Sequence, residues 1–246
     1  IVHILAGNGS FLGINMLRWK HGILKVFVFA GWKQLQTKRD TGEEETIMSR
    51  VITISREFGS GGREVGFRLA EKLGIPFYDK EIISMAAEDT NISEEVFHSH
   101  DEVIGKKERI DHDYVSVDPF SLYEVPVSDQ VFMAQSQIIK KLAQEGPCVI
   151  IGRCSDILVE DGFHVFICAG MKKRVERMLI LEPQETAKKM ESRMRQIDQK
   201  RRDYYQYYSG NEWGNPRNYH LSLNSGKLGI EKCVDMILES LKLYEQ

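Results

Sequence analysis

The segment VITISREFGSGGREVGFRLAEKLGIP, residues 51–76, decides the fold. A β-branched run enters a glycine cluster, and a helical pattern with Val65, Leu69 and Leu73 on one face follows it. Glycines let backbone amides approach an anion closely, and the start of a helix adds N–H groups and a favourable dipole. This order of strand, glycine loop and helix indicates a phosphate-binding loop, although the usual lysine is absent. The alternative is a plain glycine-rich turn.

From Met48 onward the chain alternates between strand and helix patterns. Short apolar runs predict the strands, and amphipathic stretches predict the helices between them. Such alternation is typical of a parallel sheet that helices cover on both faces. We expect five parallel strands, near residues 51–55, 75–78, 148–152, 163–168 and 219–224.

The composition restricts the class of protein. A net charge of −3 over 246 residues gives no global reason to expect binding to nucleic acid or to an anionic membrane. The four cysteines form no CxxC pair, which argues against a zinc site or a disulfide framework and fits a reducing, cytoplasmic compartment. The apolar stretch at residues 22–32 is too short to span a bilayer and contains Lys25.

Residues 1–47 differ from the remainder of the chain. Apolar segments lead there into a polar stretch, and Met48 directly precedes the first convincing strand. We therefore expect one compact domain over residues 48–246 and an N-terminal extension of uncertain structure over residues 1–47. The first segment is either an extension or an overlong reading of the frame, or it is a hairpin or helix that docks on the domain. The sequence leaves both possibilities open.

The glycine loop resembles that of the nucleoside monophosphate kinases, and more closely that of the cytidylate kinase-like family. The loop of that family follows the pattern G-x-x-G-x-G-K-G-[ST]. Gly59 and Gly61 match its second and third glycines, whereas Arg56 replaces the first glycine and Gly62 stands at the lysine position. The resemblance covers about residues 48–244.

This resemblance implies a three-layer P-loop nucleoside-kinase fold, with a five-stranded parallel sheet, a helical acceptor-binding insertion and an arginine-rich lid. It implies ATP and Mg²⁺ as cofactors. It also implies small-molecule nucleotide substrates, with no nucleic-acid or membrane partner. The oligomeric state stays open.

The resemblance places the phosphates of ATP on the loop. Because the lysine is absent, we expect Arg63 to act in its place, since a guanidinium binds phosphate oxygens in a bidentate manner. Glu64 stands at the threonine position and could bind Mg²⁺ directly or through water. The residues expected to contact the phosphates are Gly59, Ser60, Gly61, Gly62, Arg63 and Glu64.

Two residues at the ends of predicted strands match family positions that receive the acceptor. Asp79 follows the second strand, where the family carries an acidic residue, although an Asp there also suits the start of a helix. Gly152 and Arg153 match the family segment Gly-Arg-Asp. An Arg at the carboxyl end of a buried parallel strand points into the crevice where ligands bind and can hold a monophosphate. The alternative for Arg153 is a surface side chain.

A basic helix near residues 183–210 matches the lid of the family. Arg195, Asp198 and Arg201 follow an i, i+3, i+6 spacing, which suggests one stripe of the helix. Phosphoryl transfer needs such positive charge because its transition state spreads negative charge over the phosphoryl oxygens. We therefore predict catalytic roles for Arg63, Arg195 and Arg201. The alternative for this helix is a solvated face with internal ion pairs.

The predicted activity is ATP-dependent phosphorylation of a pyrimidine nucleoside monophosphate, with CMP or dCMP as the acceptor. Two departures from the family keep other functions open: Gly62 at the lysine position, and Cys154 in place of an Asp that helps to contact the nucleoside. The chain could instead be a catalytically weak, nucleotide-binding regulatory protein, or a kinase for another small acceptor. The tyrosines between Tyr204 and Tyr208 are expected to pack rather than to contact a base.

Overall fold

The computed structural model describes residues 50–90, 92–102, 104 and 125–244. The extension predicted over residues 1–47 lies outside them, and so do residues 105–124.

Five strands form one parallel sheet in the order β2-β3-β1-β4-β5. The strands are β1 (Ile52–Arg56), β2 (Phe77–Tyr78), β3 (Val149–Ile151), β4 (Phe163–Cys168) and β5 (Leu221–Asn224). The prediction of five parallel strands is confirmed. Because β1 lies between β3 and β4, the connections on its two sides run in opposite directions, which opens a crevice at the carboxyl ends of these strands.

Nine α-helices occur in the described parts of the chain. They are α1 (Gly62–Leu73), α2 (Glu81–Asp89), α3 (Glu94–His100), α4 (Val127–Glu145), α5 (Ser155–Leu158), α6 (Met171–Leu181), α7 (Ala187–Ser209), α8 (Ser225–Leu228) and α9 (Ile230–Tyr244). A short 3₁₀ helix spans Pro216–Asn218. None of these helices is long and apolar enough to cross a bilayer.

Helices α1 and α9 cover one face of the sheet. Alternate residues of the strands, such as Ile52 and Ile54, pack there against Leu69 of α1 and Ile237 of α9, and all four side chains are fully buried. The period of two along each strand and the apolar face of each helix produce this layer. Packing on this face therefore fixes the position of α1, whose first turn directly follows the glycine loop.

Helices α2, α3 and α4 cover the opposite face. Ile150 of β3 points to this side and packs in one cluster with Ile82, Phe97 and Ile139, which come from the three helices in turn. The two apolar clusters on opposite faces of one sheet give the three-layer architecture that the sequence predicted. Helix α3 ends beside the sheet, so the residues that follow it reach the crevice.

A buried histidine connects two neighbouring strands within the sheet. The Nδ1 atom of His164 lies 2.8 Å from the hydroxyl of Thr53. The backbone N–H of His164 donates to the Nδ1 atom of His220 over 3.0 Å. Burial, and then the nearby His220, lower the pKa of His164 to about 4, because both disfavour the charged imidazole. The folded protein therefore contains His164 in its neutral form.

We predict that His164 makes the fold sensitive to acid. Its pKa in the fold lies below the ordinary value of 6.5, so its contribution is fully present above that value and is lost as the pH falls towards 4. The loss amounts to about 2–3 kcal/mol at pH 4.5. Urea unfolding of wild type and His164→Asn at pH 7 and pH 4.5 measures it. Equal losses in the two proteins would contradict the prediction.

Candidate active site at the carboxyl edge of the sheet

The glycine loop joins the carboxyl end of β1 to helix α1. Gly59 and Gly61 have φ angles of 74° and 81°, which side chains rarely tolerate. Within the described residues, the N–H groups of Gly59, Gly61 and Arg63 donate to no protein acceptor. These N–H groups at the start of a 12-residue helix form a site suited to phosphate.

Side chains from α6 and α7 hold the backbone of this loop. The N–H of Phe58 donates to Asp198 over 2.8 Å, and the carbonyl of the same residue accepts from Nε of Arg174 over 2.7 Å. Arg174 and Asp198 also form a buried ion pair with each other. Arg177 donates to the carbonyl of Gly59 over 3.0 Å. Asp198, predicted as part of the lid, therefore positions the loop.

Arg153 lies buried just after β3, at the carboxyl edge of the sheet. Its Nε and Nη2 atoms donate to the two carboxylate oxygens of Asp101 over 2.9 and 2.8 Å, and Nη1 donates to the carbonyl of Asp79 over 2.7 Å. Burial acts to lower the pKa of Arg153, but the charges of Asp101, Glu102 and Asp79 raise it above its ordinary value. The structure thus brings the two predicted acceptor residues, Asp79 and Arg153, together.

A carboxylate between two arginines forms the centre of the site. Glu102 accepts from Nη1 of Arg56 over 2.8 Å through one oxygen, and from Nε of Arg201 over 2.9 Å through the other. Arg201 also donates to the backbone carbonyl of Arg56 over 3.1 Å. Burial acts to raise the pKa of Glu102, but Arg56, Arg201 and Arg153 hold it well below its usual range. Glu102 is therefore a permanent anion in this arrangement.

These pairs define what the site can do chemically. Three buried or nearly buried guanidinium groups, those of Arg56, Arg153 and Arg201, converge beside the glycine loop. Each one binds a carboxylate oxygen, and phosphate oxygens present the same type of acceptor. The cluster is suited to binding more than one phosphate group at the carboxyl edge of the sheet.

Arg63 and Glu64 lie on other surfaces than the sequence suggested. The Arg63 side chain is 60% exposed, donates to Asp79 over 2.7 Å and lies over the ring of Phe77. Glu64 pairs with Arg68 one turn further along α1. No group of three or more acidic, histidine or cysteine side chains in the described parts of the chain could hold a metal ion. Arg63 thus faces Asp79, and Glu64 faces the outside of α1.

The structure brings Arg201 to the site but not Arg195. Arg195 is 67% exposed and pairs with Glu191 of its own helix, α7. The reason is helical geometry: at about 100° per residue, a separation of six residues turns the side chain by about 120°. The i, i+3, i+6 spacing therefore does not keep Arg195 and Arg201 on one face, and the predicted stripe is wrong as a single surface.

The tyrosine cluster packs, as the sequence suggested. Tyr204 and Tyr205 are buried against Cys154, and the ring of Tyr208 stacks on that of Phe132 with centroids 3.8 Å apart. Burial, together with the nearby Asp156 and Glu102, raises the pKa of the Cys154 thiol, so this cysteine stays protonated. Cys154 thus gives the site an apolar wall in the position where the family carries an Asp.

Several residues of this cluster could not be predicted from the sequence. Asp101 and Glu102 were not singled out, and Arg56 was noted only as a departure from the loop pattern. Two glycines point to the path of the Arg56 side chain. A Cβ atom at Gly62 would lie 2.4 Å from Arg56, and a Cβ atom at Gly152 would lie 2.0 Å from it. Glycine at these positions indicates a side chain that passes close to the backbone.

The fold and the site define the class of protein. The structure combines a parallel sheet in the order 2-3-1-4-5, a glycine loop between β1 and α1, and arginines at the carboxyl edge of the sheet. These are the features of a P-loop protein of the kinase type. The sequence model of the cytidylate kinase-like family matches residues 51–227. The chain therefore belongs to the cytidylate kinase-like family.

One solved structure supports the assignment of architecture, and two others are similar to a lesser degree. An uncharacterized protein from Eubacterium ventriosum ATCC 27560 is 23% identical, with a TM-score of 0.57, and the match covers 78% of this chain and 98% of that one. A shikimate kinase from Bacteroides thetaiotaomicron is 16% identical, with a TM-score of 0.47 and coverage of 78% and 98%. A gluconokinase from Sinorhizobium meliloti 1021 is 14% identical, with a TM-score of 0.45 and coverage of 80% and 94%. A search of curated proteins found no match.

We predict that Gly152→Ala destabilises the protein more than Gly210→Ala does. Both glycines have positive φ angles, 69° and 71°, so both substitutions carry a similar backbone cost. A Cβ atom at Gly152 would also lie 2.0 Å from Nη1 of Arg56, whereas one at Gly210 would meet nothing within 4 Å. The additional loss should be about 1–3 kcal/mol, because the buried Arg56–Glu102 pair must separate. Urea unfolding of both variants measures the difference, and equal losses would refute it.

Proposed function

We propose that the protein is an ATP-dependent kinase that phosphorylates a pyrimidine nucleoside monophosphate, with CMP or dCMP as the acceptor. The observation that supports the proposal best is the convergence of Arg56, Arg153 and Arg201 beside a glycine loop with free N–H groups. Such a set can hold a donor phosphate and an acceptor phosphate at the same time. The four cysteines are free thiols, which is consistent with action in a reducing compartment such as the cytoplasm.

The loop would bind the phosphates of ATP through backbone groups. Its N–H groups and the start of α1 favour negative charge, which fits the triphosphate. Mg²⁺ would bind between these phosphates and a protein carboxylate, since this ion commonly enters with the nucleotide and needs few protein ligands. Glu57 fits that role better than Glu64, because it lies at the start of the loop, whereas Glu64 pairs with Arg68 on the outside of α1. Bound Mg²⁺ would neutralise charge on the phosphates.

The acceptor phosphate would bind to Arg153. Its guanidinium ends beside Asp79, where the second strand of the sheet ends, and a phosphate there would displace the carboxylate of Asp101. In the transfer, an oxygen of the acceptor phosphate forms a bond to the γ-phosphorus of ATP. The bond to the bridging oxygen breaks, and ADP leaves with that electron pair. Arg201 would stabilise the charge that spreads over the moving group.

A second candidate is a kinase for a different small phosphate acceptor. The observation that favours it is the apolar wall formed by Cys154, Tyr204 and Tyr205, in place of a carboxylate that would contact a cytosine nucleoside. Screening a metabolite library for ATP-dependent phosphorylation separates the two candidates. Activity with another acceptor and none with CMP or dCMP would favour the second.

A coupled assay for ADP formation tests the first candidate directly. The protein is incubated with ATP and Mg²⁺ and with CMP, dCMP, UMP, AMP or GMP in turn. We expect turnover to be greatest with CMP or dCMP, and chelation of Mg²⁺ to abolish it. Turnover of none of these by folded protein would overturn the proposed substrate. Binding of ATP without any transfer would identify a regulatory nucleotide-binding protein instead.

We predict distinct kinetic effects for Arg153 and Arg201. Arg153→Ala should mainly raise the KM for the monophosphate, since Arg153 holds the acceptor before and during transfer. Arg201→Ala should mainly lower kcat, because its contact forms with the phosphoryl group in flight. Charge-assisted contacts are worth about 1.5–3 kcal/mol, which corresponds to roughly tenfold to a hundredfold in each parameter.

Arg195→Ala is the matched control, because Arg195 lies on the same helix as Arg201 but is exposed. Its kcat and KM should stay within about twofold of wild type, as expected for an exposed ion pair. Wild-type kcat for Arg201→Ala, or a large loss for Arg195→Ala, would refute the assignment of the lid.

We also predict that residues 1–47 are not needed for nucleotide binding. The loop, Arg153 and Arg201 all lie after Met48. A chain that begins at Met48 should bind ATP with the Kd of the full chain, within about twofold, in calorimetry. Failure of the shorter chain to fold, measured by circular dichroism, would show instead that the first segment belongs to the domain core.

A further inference from the structure

The side chain of Arg56 occupies the space above the first turn of α1. A Cβ atom at Gly62 would lie 2.4 Å from Cβ and 3.1 Å from Cγ of Arg56. Gly62 does not have a positive φ angle, so its backbone would accept other residues. Glycine is therefore required at this position because Arg56 passes over it. Gly62 is the residue that stands where the family's loop carries its lysine.

The guanidinium of Arg56 ends at the turn that follows β3. A Cβ atom at Gly152 would lie 2.0 Å from Nη1 and 3.0 Å from Cζ of Arg56. Gly152 directly precedes Arg153, the residue proposed to hold the acceptor. The side chain of Arg56 thus runs from the glycine loop to the acceptor side, and its charge lies between the two.

An anion already lies at the end of this side chain. The carboxylate of Glu102 presents one oxygen to Arg56 and the other to Arg201, over 2.8 and 2.9 Å. A phosphoryl group presents its oxygens to guanidinium groups in the same manner. Burial, and then the nearby charge of Arg201, lower the pKa of Arg56, so two cations are held close together and an anion between them is favoured.

Arg63, the other candidate for the role of the lysine, is placed differently. Its guanidinium lies over the ring of Phe77 and pairs with Asp79 at the end of β2, and the side chain is 60% exposed. Arg56 has a side-chain exposure of 12%. A buried charge acts more strongly on a phosphoryl group than an exposed one, because water screens it less.

We propose that Arg56 supplies the positive charge that a lysine supplies in related loops, and that it binds the transferring phosphoryl group together with Arg201. Glu102 occupies this position when no phosphate is bound and leaves it when phosphate arrives. This inference rests on the proposed kinase function. It replaces the expectation that Arg63 substitutes for the lysine.

Kinetics of the full-length protein test the role of Arg56. Arg56→Gly should lower kcat by roughly tenfold to a hundredfold, with the KM for the monophosphate changed by less than about threefold, and Arg56→Lys, which keeps the charge, should lose less. Arg63→Ala should lower kcat by less than Arg56→Gly does, because the Arg63 side chain is 60% exposed. Thermal unfolding confirms that each variant is folded. A wild-type kcat for Arg56→Gly, or a larger loss for Arg63→Ala than for Arg56→Gly, overturns the proposal.

A swap of two residues tests the same idea by rescue. Arg56→Gly removes the charge, and Gly62→Lys alone places a side chain where Arg56 already lies. The double variant Arg56→Gly with Gly62→Lys restores the family pattern and should regain at least tenfold of the kcat lost in Arg56→Gly. A folded double variant no more active than Arg56→Gly shows that the two positions are not equivalent, and overturns the proposal.

Binding of inorganic tripolyphosphate separates this inference from the proposed function. In calorimetry, Glu102→Gln should bind tripolyphosphate at least fivefold more tightly than wild type, because the competing carboxylate is gone, and Arg56→Gly should bind it at least fivefold more weakly. If wild type transfers no phosphate but shows this pattern, the kinase activity fails and the anion site of Arg56 stands. If both variants bind as wild type does, or if wild type binds no tripolyphosphate, the inference fails.

Discussion

The carboxylate of Glu102, held between Arg56 and Arg201, is the interaction on which the arrangement of the site depends. It connects three parts of the fold that are distant in sequence: the end of β1, the turn after α3 and the lid helix α7. Burying such charges is costly unless each finds a partner. Removal of Glu102 without a replacement anion would leave the guanidinium groups of Arg56 and Arg201 close together. The site is therefore stable only when an anion fills it, and that requirement also makes it suited to phosphate.

Local signals in the sequence predicted the fold and part of the site. The strands were visible as short apolar runs because a buried parallel strand needs apolar residues on both faces, as Val149, Ile150 and Ile151 show. Arg153 was visible because it directly follows such a run, and the end of a strand fixes where the next residue lies. The family match over residues 51–227 agrees with the predicted fold.

The remaining site residues depend on contacts between distant parts of the chain. Glu102 reaches Arg201 across 99 positions, and Arg174 reaches Phe58 across 116. No pattern within one segment reports such contacts. For Arg195 a local pattern was misleading. Residues at positions i, i+3 and i+6 suggest one stripe of a helix, but the side-chain direction turns by about 60° with each step of three residues. Only the packing of α7 shows which side of the helix faces the loop.

The two attachments of the site to the rest of the molecule differ in kind. Helices α6 and α7 hold the glycine loop through its backbone, since both the N–H and the carbonyl of Phe58 are bound by Asp198 and Arg174. The turn at Asp101 and Glu102 reaches the arginines through charged side chains. The glycine loop and α7 are thus joined through backbone groups, while the turn after α3 is joined to them by buried ion pairs, whose carboxylates a polyanion can replace. A phosphate that displaced these carboxylates would release the turn after α3 and leave the glycine loop attached to α6 and α7.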